Sequence, residues 1–276
     1  MSGSKAVMVC PSGIFGLPGK YPYGRVGSEC YIIAMIQALF EIDPAIDVVA
    51  LARKFAQDGR VQVRNILTCE TAQVVRGILQ RETPWGIACQ GGQDGPHMLR
   101  QRDVATMNLA ARRALGTTIH QAAARGEYAV QFSQYPILTA YLEKWAPDSP
   151  QDLLLEYINA EPFLALVRAI TTMPGLLKAD AQATLFGPGD FLSVHSDSHK
   201  EERWRVAYVL NFADPQWRPD WGGYLNFLDE DGDIVEGWRP RFNCLNLLRV
   251  PQLHQVSYVP PFAPIGRFAI TGWFRD

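Results

Sequence analysis

The segment Phe191-Leu-Ser-Val-His-Ser-Asp197 sets an imidazole and a carboxylate two positions apart. On an extended strand, residues i and i+2 project from the same face. His195 and Asp197 side by side can grip one divalent cation. A third ligand must come from a distant strand, and His254 is the candidate, at the head of the apolar run that begins Pro-Gln-Leu-His-Gln-Val. Two imidazoles and one carboxylate on one side of an ion leave the opposite coordination positions open, the donor set of non-haem Fe(II) oxygenases. His-x-Asp alone occurs by chance in many chains, so the weight falls on the residues downstream of it. Arg267 stands 13 residues after His254 and opens Arg-Phe-Ala-Ile-Thr-Gly-Trp-Phe274. Arg267, Ala269, Thr271 and Trp273 share one face of that strand. A guanidinium there can hold a carboxylate by two parallel hydrogen bonds. It suits the far carboxylate of 2-oxoglutarate, whose keto-acid end would chelate the iron.

Taken together, His-x-Asp, the distal His254 and the Arg267 strand resemble the catalytic core of prolyl-4-hydroxylase-type 2-oxoglutarate/Fe(II) oxygenases. The stretch Trp217-Arg-Pro-Asp-Trp-Gly-Gly-Tyr-Leu225 is similar to the W-x-x-x-x-G-G-x-L turn of the prolyl-hydroxylase branch, and the likeness extends to ribosomal-protein prolyl hydroxylases and their short bacterial relatives. It covers roughly residues 180–275. The resemblance implies a mainly β fold with helices, a double-stranded β-helix (jelly-roll) core under a helical support layer. It carries over His195, Asp197 and His254 as iron ligands and Arg267 as the anchor of 2-oxoglutarate. Thr271 and Trp273 would line the same face, with Thr184 a weaker contact. The implied reaction couples decarboxylation of 2-oxoglutarate to succinate and CO2 with hydroxylation of a C–H bond by O2, ascorbate serving as reductant. Related halogenases replace the carboxylate with a small residue, so Asp197 favours hydroxylation.

One strand departs from the family pattern. Related enzymes often place a tyrosine on the strand after His-x-Asp, pointing at 2-oxoglutarate. Here that strand reads Arg205-Val-Ala-Tyr-Val-Leu-Asn211, and Tyr208 falls one residue out of register with an inward face carrying Val209 and Asn211. A one-residue offset reverses the face. Either Tyr208 is core and Asn211 takes the polar role, or the alignment is shifted; both remain candidate co-substrate contacts.

The elements that must hold these residues fall into two textures. From Pro44 onward, helical periodicity predicts a helix closed by Gly59, then helices over 71–80, 109–125, 135–145, 150–158 and 162–172. Short strands are expected at 60–64 and 85–89, and residues 90–97 read as a loop. After Leu176, apolar runs alternate with turns at 183–186, 191–195, 205–212, 224–229, 244–250, 254–259 and 267–273, as in a barrel or sandwich. Residues 1–34, rich in Gly, Pro and Ser, read as an extended leader before a single domain over 35–276, and translation starting at Met35 is an alternative. The helical support is placed at about 44–175 and the jelly roll at about 176–276.

Other candidates are set aside. His199 continues the alternation but precedes Lys200-Glu-Glu-Arg203 and reads as loop; His97 and His120 read as surface. Asp229-Glu-Asp-Gly-Asp233 lacks the twelve-residue calcium-loop pattern, and Gly222-Gly223 precedes neither Lys nor a helix, as a phosphate loop would. Tyr128, Phe132 and Tyr135 could wall a substrate proline or simply be core.

Composition agrees with a globular enzyme: 276 residues, 47% hydrophobic and 20% charged, with 26 basic against 28 acidic residues. That balance argues against a general nucleic-acid binder, and no run reaches the ~20 apolar residues of a membrane span. Cys10, Cys30, Cys69, Cys89 and Cys244 are odd in number and widely spaced. They read as free apolar thiols in a cytoplasmic protein without a disulfide framework. The expected substrate is a proline-containing protein or peptide; a free amino acid or small natural product is the second reading. A silent jelly-roll binding module and a zinc hydrolase are the rivals of another class.

Overall fold

The computed structural model describes residues 40–197 and 203–276. The leader, Met35, Cys10, Cys30 and His199 lie outside the described residues. The first half holds helices α1 (Val48–Asp58), α2 (Cys69–Arg81), α3 (Gln101–Thr106), α4 (Leu109–Ala124), α5 (Ile137–Leu142), α6 (Pro150–Ile158) and α7 (Glu161–Thr171). Between them run strands β1 (Arg60–Arg64), β2 (Gly86–Gly91), β3 (Asp94–Leu99) and β4 (Ala129–Tyr135). The second half is β5 (Lys178–Ala179), β6 (Gln182–Phe186), β7 (Phe191–Ser196), β8 (Trp204–Asn211), β9 (Leu225–Leu228), β10 (Ile234–Trp238), β11 (Cys244–Arg249), β12 (Leu253–Val256) and β13 (Arg267–Arg275).

Local chemistry sets the helix ends. Asp47 accepts a hydrogen bond from the Ala50 N–H at 3.0 Å and starts α1. Gly59 ends it at φ 69°, a left-handed conformation that costs glycine nothing. Ser149 caps α6 with Pro150 as the first helical residue. Pro136 shortens the expected 135–145 helix: Tyr135 ends β4, and the helix begins at Ile137. The expected loop over 90–97 is mostly sheet, since Asp94–Leu99 pairs with β2.

All the strands join one 13-stranded curled sheet, whose main path runs β1-β11-β8-β13-β6-β4-β7-β12-β9-β10. The helical half therefore contributes strands to the same sheet: β1 pairs with β11, and β4 with β6 and β7. The curl gives the sheet two faces with different partners. Val206, Tyr208, Leu210, Ile270 and Phe274 pack against the helices, including Phe55, Leu154, Phe163 and Val167, in the largest buried cluster. Each such side chain contributes roughly 1.5–3 kcal/mol by leaving water. The opposite face turns inward. Ala207, Val209, Leu248 and Trp273 meet Leu225, Phe227 and Trp238 from the other side of the curl. The result is a jelly-roll barrel with a helical layer on one wall.

Cys89 and Cys244 are free and buried, but Cys69 is disulfide-bonded. The expectation of five free thiols is corrected there: wide spacing in sequence does not prevent pairing through the fold. Among the described residues, no helix is long and apolar enough to cross a membrane.

Candidate metal and co-substrate site

The metal candidates come together on one side of the barrel. β12 pairs antiparallel with β7 so that His254 sits directly opposite His195, and cross-strand partners share a face. Their rings lie 4.2 Å apart. Asp197 stands just past the end of β7 and reaches between them: Oδ1 is 3.5 Å from His195 Nε2, and Oδ2 is 3.5 Å from His254 Nε2. One donor atom from each of the three falls within 4.8 Å of the others. The outer nitrogens are occupied. His195 Nδ1 contacts the Ser193 carbonyl at 2.9 Å, and His254 Nδ1 the Gln252 carbonyl at 2.8 Å. Carbonyls only accept, so both Nδ1 atoms carry a hydrogen and both Nε2 atoms point inward, the orientation a metal-ligating histidine needs. Burial opposes charge on Asp197, but hydrogen bonding from His195 and the field of both histidines hold its carboxyl below the usual range. An ionised carboxylate with two imidazole nitrogens, which release any proton they hold when a metal binds, fits a divalent transition metal such as Fe(II).

Arg267 lies deeper in the barrel, 2% exposed. One Nη donates to the Gly223 carbonyl, and the guanidinium sits 4.9 Å above the Phe186 ring. Its Nε is buried without a hydrogen-bond partner, and no carboxylate within 4.0 Å pairs with it among the described residues. Burial alone brings its pKa down to about 10. A buried cation without a counter-charge is costly, and an incoming carboxylate would remove that cost. The double-glycine turn makes the arrangement possible. Gly223, at φ 67°, leaves 3.3 Å between a would-be Cβ and Arg267 Cδ. Trp217, fully buried, closes the turn by donating its indole N–H to the Gly222 carbonyl at 3.1 Å.

The other candidates divide by face. On the inward face, Ala269 of β13 is flanked by Thr184 and Asn211, and Thr271 by Gln182 and Val209. Asn211 and Thr184 are both buried, 2% exposed each. The Asn211 amide donates to the Val209 and Cys244 carbonyls, leaving its own oxygen for other donors. Tyr208 is corrected as a co-substrate contact. It faces the helical layer, its hydroxyl donates to the Asp180 carbonyl at 2.8 Å, and its ring packs 5.0 Å from Phe274. The physical reason is the period of two, which sends Tyr208 and Asn211 to opposite sides. Phe132 stacks on Phe186 at 4.8 Å inside the barrel, Tyr135 belongs to the helix-side core, and His97 and His120 are exposed. Asp229 closes the β9–β10 hairpin by accepting from the Asp231 and Asp233 N–H groups. Of two aromatic residues near the metal site, the sequence singles out Tyr128 and gives no sign of Trp204. Tyr128 meets the His195 ring edge-on at 6.3 Å, and Trp204 stacks on Trp273 at 4.0 Å. The aromatic run starting at Tyr128 is the only sequence signal for the first.

Fold and donor set together define a non-haem Fe(II) oxygenase scaffold. Residues 181–275 match the 2OG-Fe(II) oxygenase superfamily. Among solved structures, a Pseudomonas putida prolyl-4-hydroxylase is 20% identical, with 83% of this chain and 98% of that one covered and a TM-score of 0.52. A 2OG-Fe(II) oxygenase family protein from Burkholderia pseudomallei gives 10% identity, 86% and 93% coverage and a TM-score of 0.54. A Trichoplax adhaerens prolyl hydroxylase, in complex with a hypoxia-inducible-factor oxygen degradation domain peptide, gives 14%, 90% and 94%, and 0.52. At such identities the likeness is one of fold. No curated protein matches the chain.

Proposed function

We propose that this chain is a 2-oxoglutarate- and Fe(II)-dependent dioxygenase that hydroxylates a prolyl residue of a protein or peptide. The observation that carries the reaction class is the pairing of an inward-facing His195–Asp197–His254 donor set with Arg267, a buried guanidinium that lacks a counter-anion. Iron bound there, with 2-oxoglutarate and O2, would supply the oxidant for C–H hydroxylation as 2-oxoglutarate is decarboxylated to succinate and CO2. The chain's own part is positioning. Arg267 would hold the far carboxylate by its paired N–H donors, and Asn211 and Thr271 would face the co-substrate from the neighbouring strands. Phe186, Phe132 and Val256 keep the deep end of the barrel apolar and dry. The prolyl part rests on the Trp217–Leu225 turn and on what two of the structural neighbours are named for, with Tyr128 beside His195 as a ring surface for the substrate.

The test is succinate formation by anaerobically purified protein given Fe(II), ascorbate, 2-oxoglutarate and O2, beside His195→Ala. Succinate from the parent and none from the variant supports the reaction class; equal background from both refutes it. Mass spectrometry of proline-containing peptides and of amino-acid pools then assigns the added oxygen. Oxidation confined to free amino acids would overturn the prolyl reading alone.

A further inference from the structure

The curled sheet does not close. Its two end strands, β1 and β10, face each other without backbone pairing and are joined by the Arg60–Glu236 ion pair at 2.7 Å. Beside that pair lies a cavity of about 330 Å³, lined by Gln62 and Arg64 of β1, by Arg239 and Arg241 from the chain after β10, and by Lys54 and Glu236. Most of the other charges there are already matched. Glu236 is taken by Arg60, and Lys54 by Asp58 at 2.7 Å. Three guanidiniums remain. Arg241 Nε donates to Gln62 Oε1 at 3.0 Å, and Arg239 Nη1 to the Trp217 carbonyl at 3.0 Å. These acceptors are neutral: they orient the guanidiniums and cancel none of their charge. No carboxylate lies within 4.0 Å of Arg64, Arg239 or Arg241 among the described residues, whereas Arg60, Arg76, Arg100, Arg125, Arg168 and Arg205 each hold one. Burial, and then the charges of Arg64 and Arg239, lower the Arg241 pKa, so the three cations work against one another. Gln62 is itself held, donating to Asn246 Oδ1 at 3.1 Å, which gives Arg241 a fixed support.

We infer that this seam cavity is a binding site for a phosphate group. Three cations converging from two chain segments ask for a multiply charged ligand. A carboxylate has two oxygens in one plane and a single negative charge, which one guanidinium fork matches. A tetrahedral dianion presents oxygens in three directions and can engage all three. The cavity falls at the lower end of small-ligand sites, which start near 300 Å³. It therefore has room for a small phosphate monoester as well as for inorganic phosphate. The inference does not depend on the oxygenase reading, because none of the metal candidates or Arg267 lines the cavity.

Calorimetric titration of the full chain tests it, with inorganic phosphate and phenyl phosphate as probes and acetate and chloride at matched ionic strength as references. Saturable binding of either phosphate, absent for acetate and chloride, is expected. Tighter binding of phenyl phosphate would assign the site to an ester, and tighter binding of inorganic phosphate to the free ion. Arg64→Gln, on an exposed residue, should raise Kd at least tenfold, as should Arg241→Gln, and Arg125→Gln at a distant ion pair should leave it unchanged. Thermal melts establish which variants are folded, and Arg64→Gln carries the test if Arg241→Gln is not. The inference is overturned by lack of saturable phosphate binding to the folded parent, by an equal response to acetate, or by an unchanged Kd in folded Arg64→Gln.

Discussion

Replacing Arg267 with methionine separates a structural role from a ligand-holding one. Truncation of a buried side chain ordinarily costs several kcal/mol. Here the structure gives a different sum. Burial lowers the arginine pKa from 12.5 to about 10. A lowered pKa on a cation means that its charged form is penalised in the folded state, and at neutral pH the whole penalty is present. At 1.36 kcal/mol per unit it is about 3 kcal/mol. Against it stands the charge-assisted hydrogen bond to the Gly223 carbonyl, about 1.5–3 kcal/mol. Methionine is unbranched and fills a comparable space. The two contributions nearly cancel, so Arg267→Met should change ligand-free stability by less than about 1.5 kcal/mol. For a chain of this size that is a melting shift within about 6 °C. The ligand response should differ sharply. With Mn(II) in place of iron, 2-oxoglutarate at 100 times its Kd should stabilise the parent by about 2.7 kcal/mol. Loss of two charge-assisted hydrogen bonds, roughly 3–6 kcal/mol together, would weaken binding at least a hundredfold and erase that shift. Thermal unfolding of both proteins, with and without 2-oxoglutarate, reads both quantities. A ligand-free variant destabilised by more than about 3 kcal/mol would mean that the guanidinium is a structural strut. A 2-oxoglutarate shift surviving in the variant would remove Arg267 from the co-substrate site.

Three further outcomes can be checked. Tyr208→Phe loses the hydroxyl donated to the Asp180 carbonyl and should cost about 1 kcal/mol in chemical denaturation. The KM for 2-oxoglutarate should stay unchanged, and a tenfold rise would return Tyr208 to the co-substrate site. Burial raises the Asp190 carboxyl to about 6, against the opposing hydrogen bonds from the Gly187 N–H and Gln131. A raised folded pKa gives stability that is present below about 4 and lost as pH rises through about 6. Asp190→Asn should therefore flatten melting temperature against pH over that window and gain about 1–3 kcal/mol at pH 7; parallel profiles would contradict the burial argument. Gly222 holds φ 61°, ψ −145°, and a Cβ there would collide with the Tyr258 carbonyl. Gly222→Ala should cost more than about 2 kcal/mol, seen as a fall in melting temperature; a neutral variant would show that the turn can relax.

The candidate site residues are the most legible part of the chain, because most of them sit on strands. The expected strands at 183–186, 205–212, 244–250 and 267–273 are within a residue or two of β6, β8, β11 and β13. The helix expected over 150–158 has those bounds in the fold, since Ser149 and Pro150 mark its start chemically. The hidden features lie mostly at edges. Asp94-Gly-Pro-His and Ile234-Val-Glu-Gly pair on one side only and are largely exposed, so they show turn residues or no alternation. Alternation puts Asp197 on a strand face with His195, yet it lies beyond the end of β7 and reaches the site from outside the ladder. The β-bulge between His254 and Val256 that helps set the two histidines opposite each other leaves no signature in residue types. Nor can spacing reveal that Arg64, Arg239 and Arg241 meet, because the curl of the whole sheet brings β1 to β10.

The carbonyls that orient His195 and His254 come from Ser193 and Gln252, each two residues earlier in the same chain segment. Main-chain oxygen is supplied by every amino acid, so ring orientation needs no particular companion side chain. Such a centre is portable: it survives wholesale replacement of its surroundings as long as the two strands keep their path. That portability asks little of the side chains around the two rings. It also locates the weak point of the design in the backbone of β7 and β12, where a proline or a register slip would undo what changes to nearby side chains would leave intact.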